Sequence, residues 1–375
     1  MNEKKKGINL MTNFSKKGEK ITEQSYIENI LRLNLGKAAS FHMDYDEGEK
    51  VFKGIITQAN TDHYIIEEKV SGKTIILPSI FLKYIVFDEK INYPTVAPKF
   101  KRTSQSYPFE KALRQPPISA QSAIVIDGNT GSIVFEQNAF SELPIASLTK
   151  LMTAIVALEA SSLNDLVTIS AEAAAQTPSS CPLVAGDTLS MRDLLYCLLL
   201  RSGNDAAWAI AEYVAGNVPS FVNLMNQKAK ALGLNQTTFT NPSGLDVPSS
   251  NLSPSYDLAR LMRYGLTNPN FRKIIGTKSY QTTSQLGNEY NFIHKHRLLH
   301  NVYYVIGGKT GFTRRAGRTL VTAAEQDGQE FIVVTLNDPN DWEDHVNLLE
   351  YAFNLYGITV DTPNDFAKPI PGASD

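Results

Sequence analysis

The sequence predicts an α+β protein, a helical portion set against an antiparallel sheet, preceded by a small β-barrel-like domain. Three observations carry that expectation. Within residues 117–360, strand-like runs stand at both ends and long helical patterns lie between them, so the terminal strands are expected to meet in one sheet. Residues 37–92 break instead into short strand-like runs separated by turn residues. A proline-punctuated basic stretch, 94–116, divides the two textures.

Residues 1–21 read as a disordered basic arm, with six lysines in 1–20 against Glu3 and Glu19. TEQSYIENILRL (22–33) places Tyr26, Ile27, Ile30, Leu31 and Leu33 at helical spacing. KAASFHM, VFKGIITQA, HYIIEEK, KTIILP and YIVFD are then short strands, with Asp46-Glu47-Gly48 and Ser71-Gly72 as turns. That many strands in so short a span suggest a small barrel, making 22–93 one domain. Pro94, Pro98, Pro108, Pro116 and Pro117 mark the linker. SAIVIDGNTGSIVFEQ is a hairpin about Asp127-Gly128-Asn129-Thr130-Gly131. LTKLMTAIVALEA, MRDLLYCLLL, DAAWAIAEYVA and SFVNLMNQKAKAL are helices. TLVTAAEQ and EFIVVTLN return to strands, 341–356 forms a closing helix, and 361–375 reads as a loose tail.

Composition places the 375 residues among ordinary globular chains: 42% are hydrophobic and 20% charged. The net charge of -2 hides an asymmetry, since residues 1–116 hold 19 Lys and Arg against 14 Asp and Glu. This excess lies in the arm and linker, where it serves solvation or attraction to an acidic surface; no nucleic-acid-binding motif accompanies it. Cys181 and Cys197 lack metal-ligand spacing and read as buried free thiols, with one bridge as the alternative. No stretch is long and apolar enough for a membrane span, and the N-terminus has no apolar core of a secretory signal. His42 and His63 are read as strand residues rather than a site.

Three short motifs carry chemistry. In ASLTK, Ser147 and Lys150 stand three residues apart at the start of a helical run, on one helix face. A serine needs a base within reach, and lysine serves once burial and a second cation lower its pKa. In RSGN, Ser202 offers a hydroxyl that both donates and accepts, and Asn204 an amide that holds a backbone group and the lysine. In GGKTGFT, Lys309 supplies a second positive charge and Thr310 a hydroxyl for a carboxylate. Gly311 clears the sheet edge for an extended peptide. Each motif is weak alone; in this order they constrain one another.

S-x-x-K, S-x-N and K-T-G in that order form the signature of penicillin-binding proteins and class A β-lactamases. Together with MRDLLYCLLLRSGNDAAWAIAEYVAG, FVNLMNQKAKALGLNQTTFTNPSGLD, SPSYDLARLM and GGKTGFTRRAGRTLVTAA, residues 117–357 resemble the low-molecular-mass D-alanyl-D-alanine carboxypeptidases, peptidase family S11. The resemblance implies a β-lactamase/transpeptidase-like fold and removal of the terminal D-Ala from peptidoglycan stem peptides ending in D-Ala-D-Ala. It implies Ser147 as nucleophile, Lys150 as its base, Ser202 and Asn204 as relay and clamp, and Lys309 and Thr310 as carboxylate-binding groups. The backbone N–H groups of Ser147 and Phe312 would form the oxyanion hole. Arg314, Arg315 and Arg318 are either carboxylate ligands or a solvated face. β-Lactams would acylate Ser147, with no metal or cofactor.

A class A β-lactamase also needs a glutamate in an E-x-x-x-N setting. Between Asn204 and Lys309 only Glu212 and Glu289 occur, neither with Asn four residues on. HKHRLL (294–299) departs from the family, whose members commonly carry asparagines there. A peptidoglycan-binding module without activity and an S-x-x-K esterase are the remaining alternatives.

Residues 22–93 resemble the GerQ-type spore coat proteins through SYIENILRLNLGKAASFHMDY, VFKGIITQANTDHYIIEE and GKTIILP. That resemblance implies coat association by transglutaminase crosslinks, with Lys4, Lys5 and Lys6 as acyl acceptors. The expected location is the spore coat or envelope, against the cell wall expected of the enzyme family.

Overall fold

A computed structural model describes residues 31, 35–45, 48–59, 63–68, 71–78, 82–87 and 116–373. The basic arm, all of the expected first helix except Leu31, and all of the linker except Pro116 lie outside them. By internal contacts the chain divides into residues 1–105 and 106–375.

The first unit is an antiparallel sheet of β1 (Ala38–Tyr45), β2 (Gly48–Ala59), β3 (His63–Glu68), β4 (Thr74–Pro78) and β5 (Leu82–Phe87), in the order β4-β3-β2-β1-β5. Period-two alternation sends Ala39, Phe41 and Met43 of β1 and Tyr64 and Ile66 of β3 into one core with Ile56, Leu77 and Leu31. Each expected run is a strand. Closure into a barrel would need β4 to pair with β5, and among the described residues no such ladder exists.

The second unit is built on a sheet of β6 (Ser122–Asp127), β7 (Ile133–Gln137), β8 (Val305–Thr313), β9 (Gly317–Gln326) and β10 (Gln329–Leu336). Their order across the sheet is β8-β9-β10-β6-β7. The two ends of the unit meet where β10 pairs with β6. Both strands are near-continuous apolar runs because both faces of the sheet are covered. Ile124, Ile126, Ile332 and Val334 join a core shared with the helices. Ala123, Val125, Phe331 and Val333 join a second core on the other face.

The first core holds α1 (Lys150–Ala160), α3 (Met191–Tyr196), α4 (Asn204–Ala215), α5 (Val218–Ala231), α6 (Ser255–Leu266) and α7 (Pro269–Ile275). The short α2 (Ala171–Ala174) is capped by Ser170. The second core is closed by α8 (Arg297–Asn301) and α9 (Asp341–Leu355). A hairpin of Ser279–Thr283 and Glu289–Ile293 lies outside the expected elements; SYQTT and EYNFI are mostly polar, with no apolar run long enough to signal a strand.

The C-terminal stretch departs from the expected loose tail. Ile358, Val360 and Phe366 pack on the second core, and Asn301 Nδ2 donates to Phe366 O (3.0 Å) and Lys368 O (3.1 Å). Tyr304 Oη lies 2.5 Å from Thr362 Oγ1. These contacts join residues roughly sixty apart in sequence, which is why local polarity gave no hint of them.

His294, His296 and His345 are wholly enclosed in this unit. Burial holds His296 down at about 3 and keeps His294 and His345 well below the usual 6.5. Folding therefore favours the neutral rings. Their contribution is intact above about pH 6.5 and is lost as the pH falls below it. Asp338, pushed up to about 7 by burial, acts in the opposite direction. The histidine effect is accordingly read by difference. His345→Gln should lose less stability than wild type between about pH 7.5 and about pH 5, by at most about 2 kcal/mol, measured by urea denaturation. Equal losses in both proteins would contradict a buried neutral His345.

Candidate active site

A two-residue strand, Leu143–Pro144, runs into a 3-10 turn, Ala146–Thr149, that continues as α1. This places Ser147 in the first turn of the helical run. Ala146 takes a left-handed φ of 46°, a conformation non-glycine residues adopt at a cost. Around it the chain is tightly held. Thr319 Oγ1 of β9 donates to Ile145 O (3.2 Å), and Asn251 Nδ2 donates to Thr149 Oγ1 (2.7 Å). At Gly244 (φ 88°) a Cβ would stand 1.9 Å from Ala146 O, so glycine is required where the Asn241–Gly244 loop meets this turn.

Lys150 is 0% exposed. Its Nζ lies 3.0 Å from Ser147 Oγ, 2.7 Å from Asn204 Oδ1 and 2.5 Å from Ser243 O. Burial, with Lys295 nearby adding to it and Asp205 opposing it, lowers its pKa to about 7. A backbone carbonyl and an amide oxygen can only accept. A neutral amine with its two protons committed there would have its lone pair left for the Ser147 hydroxyl.

The second motif ends a π-helical turn, Cys197–Arg201. Ser202 follows at φ 63°, and Asn204 opens α4, both buried. A disulfide joins Cys181 to Cys197, which corrects the expectation of two free thiols. The pairing depends on a loop, 178–184, folding back over the π-helical turn. Asp205 holds that loop, its Oδ2 accepting from Cys181 N (2.7 Å) and Leu183 N (3.2 Å), while Asn204 N donates to Ser179 O (2.7 Å). Among the described residues, Cys181, Cys197 and Asp205 form the one cluster with metal-ligand proximity. Its sulfurs are bonded to each other and are not thiolate ligands.

The third motif lies on β8, an edge of the sheet. Lys309 is 1% exposed, and its Nζ donates to Thr310 O (2.8 Å); burial, with Lys150 and Lys295 close by, keeps its pKa well below the usual lysine range. A Cβ on Gly311 would stand 2.4 Å from Thr319 Oγ1 and 2.9 Å from Ser147 N, so the strand passes directly beside the serine. Phe312 is 66% exposed at the mouth.

A cleft of about 360 Å³ collects Ser147, Ser202, Thr310, Gly311 and Phe312. Lys150, Asn204 and Lys309 are not among its lining residues. Arg201 of RSGN and Lys295 of HKHRLL also line it, with Ser179, Asp341 and Trp342, which no sequence motif marks. Nor does any residue pattern mark the Ser243 carbonyl, a backbone atom. Of the three arginines after β8, only Arg318 lines this cleft, where its Nε meets Asp341 Oδ2 (3.0 Å) and its guanidinium stacks 5.8 Å from the Trp342 ring; Arg314 and Arg315 are exposed. Asp341 is the cleft's one carboxylate among the described residues. Glu212 accepts from Ser170 Oγ (2.7 Å), and neither it nor Glu289 lines the cleft.

Residues 109–340 match the D-alanyl-D-alanine carboxypeptidase (Peptidase S11) family model, and residues 22–93 match a spore coat protein (GerQ) model. The chain is 31% identical over 245 residues to the D-alanyl-D-alanine carboxypeptidase DacF of Bacillus subtilis, covering 63% of each protein. It is 34% identical over 246 residues to DacB2 of Mycobacterium tuberculosis, covering 63% of this chain and 83% of that one. A solved structure of a single-residue mutant of the Streptomyces K15 DD-transpeptidase superposes with a TM-score of 0.60 at 31% identity, over 64% of this chain and 99% of that structure.

The disulfide closes a sequence separation of 16 residues. Denatured, unreduced protein should show no thiols to a thiol-reactive dye. Replacing both cysteines by alanine should cost about 3 kcal/mol in guanidinium unfolding. Two titratable thiols in the unreduced protein would contradict the bridge.

Proposed function

Because the chain belongs to the D-alanyl-D-alanine carboxypeptidase family, we propose that it is a serine peptidase that removes the terminal D-Ala from peptidoglycan stem peptides through an acyl-enzyme. The observation that carries this reading is the Lys150 amine, 3.0 Å from Ser147 Oγ, with two obligate acceptors for its protons. In this mechanism neutral Lys150 takes the Ser147 proton as Oγ attacks the penultimate carbonyl. The oxyanion forms against the N–H groups of Ser147 and Phe312; supporting this, β8 passes beside the Ser147 nitrogen at Gly311. Ser202 returns the proton to the leaving amine, and Asn204 holds Lys150 and the peptide backbone. Water then hydrolyses the acyl-enzyme.

Lys309, Thr310 and Arg318 are assigned to the substrate's terminal carboxylate. Lys309 acts as a buried charge, Thr310 through its hydroxyl and Arg318 from the β9 side. β-Lactams present the same carboxylate beside a strained amide and acylate Ser147. Among the described residues the cleft is lined by no carboxylate except the Arg318-paired Asp341, so deacylation lacks a carboxylate base and the adduct should persist. This favours a penicillin-binding protein over a fast β-lactamase.

The match of residues 22–93 to a spore coat family supports a second element of the proposal, attachment of the enzyme to the spore coat. Lys4, Lys5 and Lys6, which lie outside the described residues, are the candidate transglutaminase acceptors. A fluorescent fusion should decorate developing spores in a spore-forming host, and labelling of the vegetative wall alone would reject this element.

Intact-mass analysis after penicillin exposure should show one stable adduct on wild type and none on Ser147→Ala. Lys150→Ala should slow acylation by about a thousandfold. Because the base must be neutral, acylation should rise with pH through about 7, the lowered Lys150 value. A rate still climbing toward the ordinary lysine value of 10.5 would contradict the lowered Lys150 value, and a rate flat with pH through about 7 would argue against a neutral amine as the base.

A further inference from the structure

A second polar system, wholly buried, lies against β8 outside the cleft lining. His296, Thr322, Thr335 and His345 are each 0% exposed. His296 caps α8, its Nδ1 accepting from Leu299 N–H at 3.2 Å, so the ring proton sits on Nε2. That Nε2–H faces Thr322 Oγ1 at 2.9 Å and Val321 O at 3.2 Å. Thr322 then has its own proton for His345 Nδ1, 2.7 Å away, and His345 Nε2–H reaches Thr335 Oγ1 at 3.0 Å. One helix cap thus sets the donor direction along a chain through α8, β9, β10 and α9.

This chain meets the candidate site at two points. Thr322 is the cross-strand partner of Gly308, and a Cβ on Gly308 would stand 2.4 Å from His296 Nε2 and 2.3 Å from Val321 O. The imidazole therefore rests on the backbone one residue before Lys309. The same ring meets Trp342, which lines the cleft, edge-on at 5.4 Å. A buried imidazole with fixed tautomer, wedged against a glycine, leaves the strand little room to shift toward it.

We propose that His296 is a positioning residue for the carboxylate-binding end of the site, locating Lys309 and Thr310 through Gly308. It touches no reacting atom. The inference rests on the peptidase reading above, and it predicts a selective defect. Reagents that bind through a carboxylate need Lys309 and Thr310 in place; an activated ester without a carboxylate needs Ser147, Lys150 and the oxyanion N–H groups, of which Phe312 stands four residues along β8 from Gly308.

The test compares penicillin with a carboxylate-free p-nitrophenyl ester as acylating agents on the full chain. His296→Asn retains a capping oxygen for Leu299 N–H, so α8 keeps its start, but it is too short to fill the space against Gly308. Thr322→Val keeps the branched shape and removes the hydroxyl link. Both variants should lose about tenfold in the second-order rate constant for penicillin while keeping the ester rate within about twofold. Restoration by His296→Gln, which supplies an N–H donor at longer reach, would strengthen the assignment. Equal losses with both reagents, or no loss in variants that melt at lower temperature, would overturn it and leave the chain a structural feature. If neither reagent labels wild type, the peptidase reading itself fails, an outcome distinct from unselective variants.

Discussion

Lys150 places an amine out of water between Asn204 Oδ1 and Ser243 O, with Ser147 Oγ as its third neighbour. Removing an ammonium from water is costly, and among the described residues no carboxylate is in direct contact to offset that cost. Dropping a proton resolves the conflict. The amine then has two protons for two acceptors and a lone pair for the one neighbour that can donate. Asp205, whose own carboxyl is pushed up by burial, tempers the effect at a distance. A carboxylate in direct contact would instead hold the lysine charged.

Keeping that amine dry requires three segments to converge, and much of the larger unit can be read as meeting this requirement. The turn before α1 brings Ser147, α4 begins at Asn204, and the Asn241–Gly244 loop supplies the carbonyl. Each is secured by contacts remote in sequence: Thr319 to Ile145, Asp205 to the 181–183 backbone, and Thr153 to the Pro242 carbonyl. The left-handed conformations at Ala146 and Ser202 sit at these junctions. Strain of this kind persists where surrounding packing over-determines the backbone. The two-sided core around β6 and β10 supplies that packing.

Charge is unevenly distributed around the cleft. Lys150 and Lys295 both lower the proton affinity of Lys309, and Lys295 also lowers that of Lys150, so the three amines compete for charge in one small region. Arg318, paired with Asp341 and stacked on Trp342, is oriented before any ligand arrives. The chain of His296, Thr322 and His345 adds a directional support to the same edge strand.

How far the sequence reaches can be judged residue by residue. The hairpin about Gly128, the terminal strands meeting in one sheet, and the helices of the middle portion were legible, because apolar periodicity is imposed locally by the face each element buries. Ser147 and Lys150 were legible as a pair because helical spacing alone brings them together. The order of the three motifs indicated a shared site, though no spacing could state a distance between Lys150 and Asn204. What lay beyond reach depends on contacts between distant segments. The Cys181–Cys197 bridge needs the 178–184 loop to fold over the π-helical turn, and the C-terminal stretch is ordered by Asn301 and Tyr304. The Ser243 carbonyl is a backbone group, which any residue could have supplied. Residue identity and local periodicity are written along the chain, so sequence determined the elements and the reactive groups. Proton affinity, orientation and pairing arise from desolvation and convergence of segments far apart in sequence, and those the tertiary structure alone decided.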